Sequence, residues 1–147
     1  MDEAKRIIEE ETLTFGERSE LQFFRGLLYQ KHGDHRAAVE IFEEFRKQVP
    51  NRHEFWLPLA ESKLILGDTS SARKLYGEIW SRALKTGDEW VRTKASIGIA
   101  RLEANRKPEH ETLNRFLQRD PKNEGLAYAI ASALEQAEKI EEARKRF

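Results

Sequence analysis

The chain has 147 residues, the length of one ordinary domain, and its 26 Lys+Arg balance 26 Asp+Glu. That balance argues against a nucleic-acid binder, which needs a clustered basic excess, and the absence of Cys excludes disulfides, zinc-thiolate sites and thiol nucleophiles. No apolar run approaches the roughly 20 residues that cross a bilayer, and Met1 to Glu11 is charged and lacks the apolar core of a signal peptide, so the chain reads as soluble and cytoplasmic.

Asp2 to Thr12 reads as a short helix with Asp2 and Glu3 in its first turn, where carboxylates meet the positive end of the helix dipole. Ala4, Ile7 and Ile8 share one face, and Glu9-Glu10-Glu11 reads as a solvated face. The segment is either the orphan second helix of a repeat or an N-terminal cap. Glu20 to His32 is the next predicted helix, with Leu21, Phe24, Leu28 and Tyr29 as its apolar stripe. Gly26 within it costs about 1 kcal/mol in helix propensity, which close approach of a neighbouring helix would offset. Gly33-Asp34 is a helix stop followed by a cap, because Gly reaches positive φ and Asp accepts from the next helix's amides.

His35 to Val49 reads as a helix facing inward with Ala38, Val39, Phe42 and Phe45, stopped by Pro50. A second helix pair follows, carried by Trp56, Leu59, Ala60, Leu64 and Leu66, then by Ala72, Leu75, Tyr76, Ile79 and Trp80, with Gly67-Asp68 between them. Pro58 forces a choice: the helix begins near Phe55, or it bends. The spacing then slips by three residues in Ser81 to Glu89, and Thr86-Gly87-Asp88 forms the turn. Trp90 to Ala104 is a helix rich in small residues (Ala95, Ser96, Gly98, Ala100), and Pro108 suits the first turn of the next. That helix faces inward with Leu113, Phe116 and Leu117, and Asp120-Pro121-Lys122-Asn123 closes it. The last predicted stripe is Ala127, Ile130, Ala131 and Leu134, with Glu138-Lys139 as a turn and Ala143 and Phe147 beyond it. An end inside a helix pair reads either as a fragment of a longer chain or as a short final helix.

A fixed period underlies this order. Gly33, Ala38 and Phe42 recur 34 residues later as Gly67, Ala72 and Tyr76. Such a period is the signature of a helical repeat array. The chain resembles the tetratricopeptide repeat family through Gly26, Tyr29, Gly33, Ala38, Phe42 and Pro50, then Trp56, Leu59, Ala60, Gly67, Ala72 and Tyr76. Lys63 departs from the family's aromatic, and the later repeats keep less: Leu113, Phe116 and Pro121, then Ala131, Ala143 and Phe147. The resemblance implies an all-α fold, an α-solenoid of antiparallel helix pairs in a right-handed superhelix of about 3.5–4 repeats. Its expected parts are an orphan helix or cap over 1–15, then repeats at 19–52, 53–89 (with the insertion), 90–123 (degenerate) and 124–147 (partial).

Nothing in the chain has the spacing of a catalytic or metal site. His32 and His35 flank a turn, His53 and His110 stand alone, and Gly26, Gly33, Gly67, Gly87 and Gly98 each have a helix-packing or turn reading rather than forming a phosphate loop. Trp56, Trp80 and Trp90 read as core packing, with exposed anchors for a partner as the alternative. No enzyme activity, cofactor or metal is expected.

The family's concave groove, lined by first helices, binds peptides or partner helices. Carried over by repeat position, it would present Glu20, Phe23, Leu27, Gln30 and Lys31, then Glu54, Leu57, Glu61, Leu64 and Ile65, then Lys94, Arg101, Tyr128 and Glu135. Phe23, Leu27, Leu57 and Leu64 would offer an apolar stripe to a partner helix, or would instead contact a neighbouring helix or a further terminal repeat. Members that clamp a chaperone's carboxylate tail use Lys and Asn where this chain has Phe23 and Leu27, so that ligand is not expected. The resemblance implies a protein-interaction scaffold with a protein or peptide partner. The alternatives are a regulatory or structural segment of a larger enzyme, and self-association through exposed ends as a homo-oligomer.

Overall fold

Three glycines turn the chain. A computed structural model describes residues 15–146, with the side chains of 18–145. In it Gly33, Gly67 and Gly87 have φ of 85°, 86° and 77°. This left-handed region penalises any residue with a Cβ. The aspartate after each glycine joins two helices. At the first turn the Asp34 amide donates back to the Tyr29 carbonyl at 2.9 Å, closing α1 (Phe15–Lys31), while its carboxylate accepts from the Ala37 amide at 3.1 Å, opening α2 (His35–Gln48). At the second, Asp68 receives the Ser71 amide at 3.3 Å between α3 (Leu57–Ile65) and α4 (Thr69–Thr86). At the third, Asp88 receives the Val91 amide at 3.2 Å between α4 and α5 (Glu89–Leu102). Two further helices follow, α6 (Glu109–Arg119) and α7 (Glu124–Arg146). The architecture is all-α, a helical repeat without strands among the described residues.

The predicted helix over Asp2 to Thr12 and its acidic run lie outside the described residues. The Pro58 question has a local answer. A 3₁₀ turn at His53–Trp56 precedes α3, so Pro58 falls in the first turn, where its missing amide deprives the helix of no bond. The 34-residue pairs match in detail. Ala38 and Ala72 each stand fourth in their helices, donate to the capping aspartate's carbonyl at 3.1 Å, and are fully buried.

The chain divides into two compact units, Met1–Leu75 and Tyr76–Phe147. In the first, α1 packs on α2 and α2 on α3. Four phenylalanines build its centre: the Phe23 ring lies 5.5, 5.1 and 4.9 Å from the rings of Phe42, Phe45 and Phe55. Phe42 also explains Gly26, since a Cβ there would sit 2.6 Å from Phe42 Cε1. This arrangement corrects the expected stripe of α1. Phe24 is 59% exposed and Leu28 stands at the surface, while Phe23 turns inward. The helix is apolar on both arcs, and the aromatic rings of α2 and Phe55 select the inward one. Gln30 then ties the unit together, donating through Nε2 to the Pro58 carbonyl and to Ser62 Oγ, both at 2.8 Å.

In the second unit α5, α6 and α7 pack mutually around Ala100, Leu113, Leu126 and Ile130, with Phe116 and Ala133 against them. Gly98 admits the Tyr76 ring against the α5 backbone, and Trp80 meets Phe116 at 5.6 Å. Two expectations change here. The inward stripe of α7 is Leu126, Ile130 and Ala133, whereas Ala127, Ala131 and Leu134 face outward. Glu138-Lys139 is no turn either: α7 runs through it without a break. That stretch holds neither Gly nor Pro, and its Glu, Lys and Ala residues favour helix.

A polar lock fastens α5 to the α6–α7 connection. Arg92 grips Asp120 in a fork, Nε to Oδ2 at 2.8 Å and a terminal nitrogen to Oδ1 at 3.2 Å. Asn123 donates to the same carboxylate at 2.9 Å and accepts from Thr93 Oγ1 at 2.9 Å and the Leu126 amide at 3.0 Å. The Arg92 hydrogen bond, with that of Asn123, outweighs partial burial and holds the Asp120 carboxyl below its usual range.

Candidate functional site

The regular winding of α5 places Trp90, Lys94, Ile97 and Arg101 in one row, at spacings of four, three and four residues. Opposite them α7 presents Tyr128 beside a floor of Gly125, Ala129, Ser132 and Ala133. Between the two helices lies an open concavity of about 650 Å³. Trp90 and Tyr128 stand 62% and 77% exposed at its sides. Large aromatic side chains are seldom left so bare, and such residues dominate the energetics of partner surfaces.

The charges of this concavity are unevenly matched. Glu135 is paired with Lys139 at 3.5 Å, one turn apart on α7. Glu109 lies in the first turn of α6, where the helix dipole favours a carboxylate. Lys94 rests over the Trp90 ring at 5.7 Å, and neither it nor Arg101 forms an ion pair among the described residues. Two cations therefore remain on one row of α5 with no carboxylate to answer them.

The residues expected at a groove fall into distinct settings. Lys94, Arg101, Tyr128 and Glu135 come together in the α5–α7 concavity. In the first unit, Lys31, Glu61 and Ile65 are exposed, and Leu27 and Leu64 half-buried. Leu57 is only 5% exposed and belongs to the core, and Phe23 is largely engaged by the aromatic cluster. Gln30 is occupied by its bonds to Pro58 and Ser62. Burial pushes the Glu54 carboxyl up, but the 2.6 Å bond and the charge of Arg52 hold it below its usual range.

A second hollow, about 440 Å³, opens in the first unit among Phe23, Phe24, Phe45, Val49 and Phe55, with Ser19, Glu20 and Arg52 at its margin. The three tryptophans also separate. Trp56 and Trp80 are core residues, and Trp90 alone of them faces outward. The role of Trp90 and Ile97 in the concavity was readable in principle from their register with Lys94 and Arg101. Among the described residues, no three His, Asp or Glu side chains cluster as they would to hold a metal ion. No helix there is long and apolar enough to cross a membrane.

Paired helices joined by glycine-aspartate turns, with a fully buried alanine in the first turn of α2 and of α4, define a helical-hairpin repeat protein. Residues 24–52 match the family model of the tetratricopeptide repeat, so the chain carries a repeat of that family over this segment. Curated proteins yielded no match. Tetratricopeptide repeats in general mediate protein–protein interaction, and the matched segment suggests a module of that kind.

Proposed function

We propose that this chain is a non-catalytic interaction scaffold, and that the α5–α7 concavity receives a peptide or helix of a partner protein. The observation that carries the reading is the pairing of two bare aromatics, Trp90 and Tyr128, with the unpaired cations Lys94 and Arg101 around about 650 Å³ of open space. An aromatic anchor beside a cation is the arrangement in which partner surfaces concentrate their binding energy. In the first unit, taken by itself, Lys31, Glu61 and the half-buried Leu27 and Leu64 stand at the corresponding repeat positions and are reachable from solvent. The repeats run over 19–52, 53–89, 90–123 and 124–147 in this reading, and the whole acts as a binding array.

Selection from a random peptide library tests it. Enriched peptides should bind the chain and lose most of their affinity for the Trp90→Ala/Tyr128→Ala variant. Both side chains are exposed, so the variant should keep its helical circular dichroism and melting temperature. Peptides that bind chain and variant equally, or no enrichment at all, would remove the α5–α7 concavity from the account.

A further inference from the structure

We infer that the α5–α7 concavity is selective for acidic amphipathic helices, taking two carboxylates spaced two helical turns apart on either side of an apolar residue. This rests on the reading of the concavity as a partner site and adds the chemistry of its occupant.

The argument starts from register. Lys94 and Arg101 are seven residues apart on one helix, so about 10 Å of axis separates them. Ile97 lies between them and is half-buried, so the row reads cation, apolar, cation. A helical occupant presents the same rhythm when acidic residues stand seven apart with an apolar residue midway, because both rows advance at the same rise per residue. The floor supplied by α7 is Gly125, Ala129, Ser132 and Ala133, small enough for a helix backbone to approach closely. Trp90 and Tyr128 flank that approach as apolar walls.

Charge decides the sign of the occupant. The acids of the concavity are answered within the molecule: Glu135 by Lys139, and Glu109 by the N-terminus of its own helix. Lys94 and Arg101 are not, so an incoming carboxylate meets a free partner at each, while an incoming ammonium would meet a like charge. Arg101 offers a planar fork suited to a carboxylate, and Lys94 a point charge. An extended peptide fits less well, since its alternating side chains would direct only every second residue at the row.

Three blocked peptides of about 15 residues in an alanine-rich helical host provide the test. Each has one central Leu flanked by two Glu, two Gln or two Lys spaced seven apart. Fluorescence anisotropy of the labelled peptides is read at low and at physiological salt. The Glu peptide should bind at least about tenfold more tightly than the Gln peptide at low salt, with the gap narrowing as salt rises. The charge-reversed variant Lys94→Glu/Arg101→Glu should lose the Glu peptide and gain the Lys peptide. Both positions are exposed, and unchanged circular dichroism of the variant confirms that the fold is kept.

Equal binding of the Glu and Gln peptides, both lost in Trp90→Ala/Tyr128→Ala, would overturn the acidic selectivity and leave the partner site standing. Equal binding that survives that variant would overturn both. Absence of binding by all three peptides would overturn the helical occupant, and the library selection then decides the partner site separately.

Discussion

Replacing Gly98 by Ala sets two opposing effects against each other. In a helix interior Ala is favoured over Gly by about 1 kcal/mol. At Gly98, however, the added Cβ would lie 2.5 and 2.6 Å from Cε1 and Cε2 of Tyr76, and closer still to Cζ. Carbon atoms sit comfortably at about 3.5–4.0 Å, so the ring must retreat by about 1 Å. Tyr76 is 3% exposed and has little room to do so. Overpacking of this kind costs about 1–3 kcal/mol, and three atoms of a confined ring place it toward the upper end. The net expectation is a loss of about 1–2 kcal/mol. Gly77 is the control: it is also helical, and nothing beyond its own helix lies within 4 Å of a Cβ placed there. Gly77→Ala should therefore stabilise by up to about 1 kcal/mol. Urea denaturation followed by circular dichroism should place the two variants on opposite sides of the parent. The Gly98→Ala penalty should also vanish on a Tyr76→Leu background, since neighbours in contact are coupled. A Gly98→Ala protein as stable as Gly77→Ala would refute the packing argument.

Asp120→Ala should cost about 1–3 kcal/mol, because it leaves the largely buried Arg92 without its carboxylate. Thermal melts of this variant beside the exposed-site change Glu138→Ala would check it. The pH dependence follows from the depressed Asp120 pKa. Its stabilisation is complete above the unfolded value of about 3.9 and is lost as pH falls through the lower folded value. The stability gap between parent and Asp120→Ala should thus close only in strong acid, and a gap that closes near neutrality would contradict the lock. Gly67→Ala should destabilise by about 1 kcal/mol, since φ is 86° with no steric neighbour to blame. Ala38→Leu should cost about 1–3 kcal/mol by overpacking a fully buried helix crossing, and an unchanged melting temperature would count against its placement.

The glycine-aspartate turns were legible in the sequence because positive φ leaves few residue choices, and the capping carboxylate must follow at once. The buried alanines were legible for a related reason: their 34-residue spacing ties them to those turns. The inward arc of α1 was not, because Phe23 and Phe24 are adjacent and equally apolar. The choice between them is made by Phe42, Phe45 and Phe55, residues distant in sequence. In α7 the small difference between alanine and its neighbours blurs the helical stripe, and Leu126 rather than Ala127 meets the core. The Glu138-Lys139 turn was inferred from repeat phase against a local composition that favours helix, and composition prevailed. Asp120 and Asn123 looked like ordinary turn residues. Their bonds to Arg92 and Thr93 cross about 30 residues of sequence, beyond any local pattern. Repeat position grouped Lys94, Arg101 and Tyr128, which line one concavity, but it could not foresee that Leu57 is covered or that Gln30 is engaged by Pro58 and Ser62.

Amide and indole chemical shifts recorded while a library-selected peptide is titrated into the labelled chain test the central claim most directly. The account predicts that the Trp90 indole and the amides around Lys94, Ile97, Arg101 and Tyr128 move together and saturate. Shifts confined to the Phe23–Phe55 hollow, with the α5–α7 signals unmoved, would contradict it.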